Sequence, residues 1–586
     1  MEKHTLILSL ALIGTPAALA QEDWDTWPPR AYLLKSLTEA VPDILDFYHP
    51  ETGRFGTEPW ICLDQNVLFP LAAAWAIRDP ANPWYHSDQV LQAIAGGGEA
   101  LVDAMDDAGM WLFKKKDGST WGQIHMPWTY SRWIRAYALV RDALPAATRA
   151  KWEKGLRLGF TGICKYMEDG PHNIPTHHAM ALYIAGECFD NQEWKQAAAA
   201  FMARIVRAQD PVGFWSEHFG PVVGYNDVYV DALGVYYHFS KDPVVLEALR
   251  RAGQFHASVL WPDGTSVAAI DERQTYSGAI YGGNVGFTWT PEGRGFLLMQ
   301  MARWAGPERR AVGADYAASL LLYSGDGPFV APPADRAEGM VVLGKNDALI
   351  RRRKPWQWAL SGYACPPVQS RWIQDRQNLV DLYHDSLGLV AGGGNTKLQP
   401  YWSTFTVGDP ALLRHQPGDE APGFVPTIDL RWTPDDAEIA NHDAVSVLTA
   451  RYGEVSCQVS VEARAGGTLR VTYQAPRGRR VEAHLPLLRR AAALRTATGR
   501  TVALDEEPVL LDAAAIGEHF VFAGLKVTMP PGASLRWPAR PHNPYAKDGA
   551  ATLAEARLVL VLPFTETDEH AVILSHQPEE APPTKH

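Results

Sequence analysis

Two short stretches of the sequence, residues 170–178 and 215–229, concentrate side chains that could do chemistry. They carry carboxylates, imidazoles, carboxamides and phenols among glycines and prolines. Each stretch runs into an apolar pattern with helical spacing. Because polar groups are costly to bury without partners, such a collection at two helix starts indicates a function. We interpret the two stretches as the walls of a carbohydrate-processing cleft.

The first stretch places Asn173, His177 and His178 at the beginning of a predicted helix. That helix is expected to begin near Pro175, so both histidines fall in its first turn. A helix N-terminus favours anions through its unpaired N–H groups and its dipole. The structural alternative is an asparagine cap with two histidines bonded to backbone. Because three such groups share one turn, we favour catalysis by Asn173 and His178 and substrate binding by His177.

The second stretch places Tyr225 where a loop enters a helix. Gly220, Pro221 and Gly224 require the loop, and the helix is predicted to begin near Asp227. A tyrosine with its usual pKa of roughly 10 becomes an effective base only where positive or hydrogen-bonding neighbours lower that pKa. We predict that Tyr225 is the catalytic base or acid and that nearby imidazoles lower its pKa. The alternative is an aromatic side chain with a structural role.

Four other side chains are candidates for substrate binding. Glu217 is either an acid or a group that orients a histidine. The chain has 21 tryptophans, whose usual role is core packing. The flat face of an indole also packs on a sugar ring, and Trp60, Trp128 and Trp215 lie beside polar residues in loops. We predict that these three contact the glycan.

Two further segments supply candidates at larger separations along the chain. Arg273 can grip a sugar carboxylate through two parallel hydrogen bonds, or it can form an ion pair with Asp271 or Glu272. His384 lies in the second half of the chain, shortly before the triple glycine of residues 392–394. A sheet interior does not need these groups, whereas a loop that reaches the cleft does. We predict a catalytic role for His384.

The elements that position these residues change character near residue 330. From residue 29 to about 324, apolar residues recur at three and four positions between Gly/Pro/Asp loops, which predicts helices over residues 66–77 and 192–209 among others. After residue 331 the pattern becomes short β-branched segments with turns and no intervening helices. We therefore predict a multidomain α-then-β chain, in which an (α/α) toroid of helical hairpins at 21–330 precedes an antiparallel β-sandwich at 331–575. Residues 576–586 are predicted to be a disordered tail.

The N-terminus and the overall composition limit where the protein acts. Residues 1–20 combine a basic start, an apolar run and an Ala-Leu-Ala end, which predicts a cleaved signal peptide and a secreted or periplasmic protein without a membrane span. The net charge of -12 and the lack of a basic run argue against a nucleic-acid partner. The five cysteines show no close pairing, so we expect free thiols and no cysteine-bound metal. The oligomeric state is not indicated.

The two motifs and the predicted architecture together resemble the heparinase II/III-like and chondroitin-AC-type polysaccharide lyases. The first motif runs from Asn173 to His178 and the second from Glu217 to Tyr225, with His384 downstream. In those families an Asn or His neutralises a uronate carboxylate, a Tyr about fifty positions later is base or acid, and a His of the sandwich completes the site. The sequence lacks the Asn-Asn-His form of the first motif, so a related toroid family is the alternative.

This resemblance implies β-elimination on an anionic, uronate-containing polysaccharide, without metal or organic cofactor. Asn173, a histidine or Arg273 would neutralise the carboxylate, and Tyr225 or a histidine would remove the C5 proton. A glycoside hydrolase on the same toroid is the second hypothesis, with Glu217 paired with Asp271 or Glu272. A non-catalytic glycan-binding protein is the third.

Overall fold

The computed structural model describes residues 27–167, 170–217, 219–273, 279–280, 282–368, 370–409, 430–546 and 548–577. The predicted signal peptide at residues 1–20 lies outside them. Within them, helices fill the first half of the chain and strands the second, as predicted.

The first half of the described chain contains eleven α-helices and two short hairpins. The helices are α1 (Arg30–Asp46), α2 (Leu68–Ala76), α3 (Asp88–Ala104), α4 (Pro127–Val140), α5 (Ala146–Tyr166), α6 (Asn173–Phe189), α7 (Gln192–Ala208), α8 (Val223–Ser240), α9 (Val244–Ser258), α10 (Pro291–Ala305) and α11 (Ala314–Tyr323). The hairpins are β1 (Tyr48–His49) with β2 (Arg54–Phe55), and β3 (Trp111–Lys114) with β4 (Thr120–Ile124). Short 3-10 helices span Cys62–Val67, Ala268–Ile270 and Val285–Trp289.

These helices form a closed double ring. Helix α2 packs against α4, α4 against α6 and α6 against α8, while α11 contacts α1, α2 and α8 and closes the inner ring. Helices α3, α5, α7 and α9 lie outside it. Inner helix α2 is buried at every residue from Leu68 to Trp75, because neighbours surround it on all sides. The predicted toroid of helical hairpins is confirmed.

The second half of the described chain is almost entirely strands. They are β5 (Glu338–Leu343), β6 (Ala348–Arg353), β7 (Trp356–Ser361), β8 (Val380–His384), β9 (Gly388–Ala391), β10 (Phe405–Gly408), β11 (Leu430–Arg431), β12 (Asp436–His442), β13 (Val445–Tyr452), β14 (Val455–Arg464), β15 (Thr468–Gln474), β16 (Val481–Leu488), β17 (Ala493–Thr496), β18 (Thr501–Ala503), β19 (Val509–Asp512), β20 (His519–Phe522), β21 (Leu525–Thr528), β22 (Ser534–Ala539), β23 (Arg557–Pro563) and β24 (Glu569–His576). One short helix, α12 (Ala513–Ile516), follows β19.

The strands build two antiparallel sheets with a shared core. The first has the order β19-β22-β23-β16-β9-β8-β7-β6-β5, with β10 on β16 and β11 on β10. The second has the order β12-β13-β14-β15-β24-β21-β20-β17-β18. Strand β14 alternates buried and less buried residues along most of its length, which is the pattern of a sheet with one face on a core. The predicted antiparallel sandwich is confirmed.

The two domains meet through an apolar core of their own. Trp261 of the toroid stacks on Tyr383 of β8 with ring centroids 5.3 Å apart. Phe214 and Phe255 of the toroid and Ile350 of the sandwich belong to the same buried cluster. The surface between the domains is therefore a packed interface, and residues on either side of it keep a defined relation.

Helix and strand ends lie near the predicted domain boundary and the predicted start of the tail. Helix α11 ends at Tyr323 and β5 begins at Glu338, so the predicted boundary at 330–331 falls between them. Strand β24 includes His576, where the tail was predicted to begin, and residues 578–586 lie outside the described part. All five cysteines are free thiols. Among the described residues, no helix is long and apolar enough to cross a membrane.

Candidate active site

Tyr225 lies in the first turn of α8, beside Arg273. The helix begins at Val223, earlier than predicted, and the preceding loop turns at Gly220, whose φ of 139° suits glycine. Arg273 donates a hydrogen bond from Nη1 to the Tyr225 hydroxyl at 2.8 Å. Its guanidinium also lies 4.5 Å from the centre of the Tyr225 ring. The structure thus brings together the predicted base or acid and the predicted carboxylate-binding arginine.

The surroundings of Tyr225 keep its proton in place in the free protein. Burial raises the pKa of Tyr225, the Arg273 guanidinium opposes that rise, and the charge of Glu217 adds to it. The net direction is upward. The group that lowers this pKa is Arg273 and not one of the described imidazoles, and His218 of the same stretch lies outside the described residues. Tyr225 is therefore protonated in the free protein near neutral pH, and Arg273 is placed to stabilise its ionised form.

Tyr229 joins the two chemistry-bearing stretches. Its hydroxyl lies 3.0 Å from Oε1 of Glu217 and 3.2 Å from the backbone carbonyl of Pro171, which precedes α6. Trp215 stacks on Tyr229 with centroids 5.2 Å apart and donates its indole N–H to the Ile205 carbonyl at 2.8 Å. Trp215 is 1% exposed, so it is a core residue and cannot be the predicted sugar platform. Glu217 holds Tyr229 and raises the pKa of Tyr225.

Helix α6 begins earlier than predicted, so Asn173 lies in its first turn and His177 and His178 lie in the second, where both bond to backbone carbonyls. Helix α6 begins at Asn173, whose Oδ1 accepts the Ile174 N–H at 2.8 Å. The Nε2 of His177 lies 3.2 Å from the Val228 carbonyl, and that of His178 lies 2.6 Å from the His125 carbonyl. A carbonyl oxygen can only accept a hydrogen bond, so the Nε2 atoms of both histidines carry a hydrogen and donate it.

Both histidines are neutral in the folded protein. Burial lowers the pKa of His178 to about 4, and burial with the charges of Arg132 and Arg135 lowers that of His177 to about 3. The structure therefore does not support the predicted catalytic role of His178. Trp128, at the start of α4, is half-buried with its ring 6.5 Å from that of His177, so it lies on the same side of the toroid.

Asp271 and Glu272 are buried and engaged. The carboxylate of Asp271 accepts the N–H groups of Val223 at 3.0 Å and Arg273 at 2.8 Å. Glu272 lies 4.0 Å from Nε of Arg376, with both side chains within 1% of full burial. The Arg273 side chain contacts Tyr225, whereas the carboxylates of Asp271 and Glu272 are buried. The hydrolase hypothesis pairs Glu217 with Asp271 or Glu272, and both candidates for the second carboxyl group are thus engaged in buried structural contacts.

His384 lies inside the sandwich, which corrects its predicted place in the cleft. Successive residues of a strand face opposite sides of the sheet, and Tyr383 faces the toroid through Trp261. His384 consequently packs between Trp356 and His576, with ring centroids at 4.7 and 5.2 Å. Burial lowers the pKa of His384 to about 4, so it is neutral.

A row of aromatic and cationic side chains, which sequence reasoning missed, spans the two domains beside Tyr225. We call Trp121, Lys115, Trp372, Arg371 and Tyr545 the aromatic strip. Lys115 Nζ lies 4.4 Å from the Trp121 ring and 5.6 Å from the Trp372 ring, and Arg371 lies 4.4 Å from the Trp372 ring. Trp372 and Tyr545 have ring centroids 5.4 Å apart.

The aromatic strip reaches the site at one end. Tyr545 is near enough for its charge to raise the pKa of Tyr225. Trp121 and Tyr545 are 62% and 74% exposed, an unusual position for large aromatic rings. The Lys-Lys-Lys run at 114–116 ahead of Trp121 was a sequence signal for this surface. Trp60, by contrast, lies under Arg54 with 4.6 Å between guanidinium and ring.

A metal has no evident place among these groups. Within the described ranges, no set of three or more His, Cys, Asp or Glu side chains could hold one. The site chemistry that the structure brings together is a phenol, a guanidinium and a surface of rings and cations.

Comparisons with known proteins locate the fold. No protein-family model and no curated protein sequence matches the chain. Among solved structures, heparinase III aligns with 98% of this chain and 88% of its own, at 11% identity and a TM-score of 0.53. The chondroitin AC lyase of Streptomyces coelicolor A3, solved in complex with chondroitin sulphate, aligns over 96% and 98% at 13% identity and a TM-score of 0.45. The likeness to heparinase III shows that the chain has a heparinase III-like fold, a helical toroid followed by an antiparallel β-sandwich.

Proposed function

We propose that this protein is a polysaccharide lyase that cleaves a uronate-containing glycan by β-elimination. The observation that carries the proposal is the Arg273–Tyr225 pair, with its 2.8 Å hydrogen bond, at the start of α8. Proteins of this fold include heparinase III and a chondroitin AC lyase. Such an elimination needs a group that transfers protons and a cation that stabilises negative charge. The Tyr225 phenol and the Arg273 guanidinium supply both at the start of α8.

The reaction needs donors that neutralise the uronate carboxylate and a base that reaches the C5 proton. The C5 proton of a uronate becomes acidic only when donors stabilise the charge that develops on its carboxylate. Arg273 and the Nδ2 group of Asn173 supply such donors in our proposal. The N-terminus of α6, where Asn173 lies, adds a favourable dipole.

Tyr225 then serves as base and acid in turn. Its ionised oxygen takes the C5 proton, the C–H electrons form the C4–C5 double bond, and the bond from C4 to the glycosidic oxygen breaks. The protonated Tyr225 gives its proton to the departing oxygen, which restores the phenolate. Burial raises the pKa of Tyr225, so the ionised form is the minor one near neutral pH and activity rises with pH. His177 and His178 donate from Nε2 to backbone carbonyls and have lowered pKa values, so they are weaker bases than the ionised Tyr225.

The aromatic strip is the proposed binding surface for the rest of the chain. Indole and phenol faces pack on sugar rings, and Lys115 and Arg371 attract carboxylate or sulphate groups between them. The local cations offset the overall charge of -12, which would otherwise repel an anionic polymer. Export to the periplasm or outside, inferred from residues 1–20, stays a prediction.

The test is Tyr225→Phe, with Tyr237→Phe in the same helix as the matched control. The wild type and the control should raise the near-ultraviolet absorbance of a panel of uronate-bearing glycans, chondroitin sulphate included, as the C4–C5 double bond forms. Tyr225→Phe should lose about 100-fold or more of that rate, the usual effect of removing a general acid-base group, with unchanged folding.

Product masses separate the three hypotheses. A lyase gives fragments whose masses sum to that of the substrate, and a hydrolase gives fragments heavier by one water. A glycan-binding protein leaves the substrate intact. Full activity in Tyr225→Phe would remove the proposed mechanism.

A further inference from the structure

Arg273 and Tyr225 come from two toroid segments that share little regular structure. Residues 220–225 comprise the end of a loop and the first turn of α8, and residues 270–273 comprise the end of a short 3-10 helix and the loop after it. One backbone hydrogen bond, from the Glu272 N–H to the Pro221 carbonyl at 3.2 Å, joins them directly. The distance between a phenol and a guanidinium at their tips therefore depends on side chains that fasten the two backbones together.

Asp271 is the first residue whose side chain joins the two segments by hydrogen bonds. Its Oδ2 accepts the N–H of Val223, the first residue of α8, and its Oδ1 accepts the N–H of Arg273. One carboxylate thus holds the backbone two residues before Tyr225 and the backbone of Arg273 itself. The negative charge at the N-terminus of α8 is favoured by the helix dipole. At 2% exposure, Asp271 is shielded from water, so the two bonds are strong.

Arg376 is the second fastening, and it belongs to the sandwich. Its Nη1 donates to the Ile270 carbonyl and its Nη2 to the Pro221 carbonyl, each at 3.0 Å. One rigid guanidinium thereby spans the same two segments from the other domain. Gly220 permits this approach, because an added Cβ would lie 3.0 Å from the Arg376 Nη2. The Nδ2 of Asn395, also in the sandwich, donates to the Asp271 carbonyl at 3.2 Å.

We propose that Asp271 and Arg376 are positioning residues that hold Arg273 against Tyr225, and that docking of the sandwich completes the active site. The catalytic consequence rests on the proposed lyase function, whereas the geometric part does not. Neither residue is placed to touch substrate, since both are at least 98% buried. The sandwich acts on the reaction through the backbone of the toroid.

The test compares two buried sandwich arginines that each donate to toroid carbonyls. Arg376→Gln removes the proposed fastening. Arg352→Gln is the control, because Arg352 is 2% exposed and donates from Nη2 to the Leu260 carbonyl at 3.2 Å, in neither of the two segments. Asp271→Asn is a same-size substitution that presents an amide to two N–H donors and so loses one bond. It keeps the proposal testable if Arg376→Gln does not fold.

The first readout is the ionisation of Tyr225, followed by NMR of protein labelled with 13C in its tyrosine rings. The Tyr225 signal is identified by its loss in Tyr225→Phe. The charged or titratable groups that act on it are Arg273, Glu217, Tyr545 and Tyr229, and no test variant replaces any of them. In Arg376→Gln and Asp271→Asn the titration midpoint should move to higher pH, since Arg273 no longer lies in place. In Arg352→Gln it should stay where it is.

The second readout is turnover, with kcat and KM determined separately. Misplacement of a reacting group by about 1 Å lowers turnover roughly 100-fold, so kcat should fall by that order in Arg376→Gln and Asp271→Asn while KM changes less. A Tyr225 titration and a kcat in Arg376→Gln equal to those in Arg352→Gln would overturn the proposal. If the wild type shows no elimination, the proposed function fails, and the titration alone still decides whether the two residues position Arg273.

Discussion

Replacing Arg273 tests the central contact of the site. Arg273→Gln keeps a polar side chain that is too short to reach the same position, and it removes the positive charge from the Tyr225 hydroxyl. A hydrogen bond to an ionised group contributes about 1.5–3 kcal/mol, and about 1.4 kcal/mol corresponds to a tenfold change in rate. The 2.8 Å bond is therefore worth roughly 10- to 100-fold in kcat/KM. Arg273 is half-buried and solvent weakens its charge, so we expect an effect in the lower part of this range.

The pH dependence of kcat/KM should also change in a defined direction when Arg273 is replaced. In our mechanism the reactive form of Tyr225 is ionised, so kcat/KM rises with pH up to the pKa of Tyr225. Burial raises that pKa and Arg273 lowers it. Loss of the charge removes the lowering contribution, so the rising limb should move to higher pH in Arg273→Gln. In Arg273→Lys, which keeps a charge without the planar fork, the limb should move less.

The assay is the initial rate of unsaturated uronide formation, measured by near-ultraviolet absorbance across pH. Arg251→Gln is the control, since Arg251 binds Gln209 on the outer helices at 2.7 Å. Thermal unfolding of each variant excludes loss of the fold as the cause. The reasoning is refuted if Arg273→Gln shows the wild-type rate and the wild-type pH profile.

Two further predictions concern the aromatic strip and the sandwich histidine. Trp372→Ala removes the ring between Lys115 and Tyr545. Loss of the proposed apolar contact of this ring with a sugar, worth about 1 kcal/mol, should raise KM about fivefold with kcat unchanged. An unchanged KM would show that the substrate does not cross this surface. His384→Gln should leave kcat and KM unchanged and lower the free energy of unfolding by about 1 kcal/mol, as measured in urea, because His384 packs on Trp356 away from the cleft. A large fall in kcat with an intact fold would contradict its placement.

The spacing of apolar residues predicted the ends of a helix closely where the helix buries only one face. The outer helix predicted over residues 192–209 is observed over Gln192–Ala208, with buried residues at every third or fourth position. The inner helix predicted over residues 66–77 is observed as a 3-10 turn followed by α2 from Leu68. An inner helix is apolar on all sides, so its pattern does not mark where it begins.

The start of α8 shows how a distant residue decides a local boundary. The loop residues predicted a helix from about Asp227, whereas the helix begins at Val223. The Val223 N–H is satisfied by Asp271, which is 48 positions away in the sequence. Helix ends need partners for their first N–H groups, and here the partner is brought by tertiary folding alone.

The sequence by itself determined the order of domains, the chemistry-bearing stretches and the candidates Asn173, Tyr225 and Arg273. Those features follow from residue type, periodicity and turn residues, which are local properties. Only the tertiary structure decided which candidates meet. It pairs Arg273 with Tyr225, turns His178 to the His125 carbonyl and faces His384 into the sandwich. Contacts between residues far apart in sequence depend on the packing of whole helices and sheets, and strand alternation leaves a side chain's face undetermined until its sheet has docked.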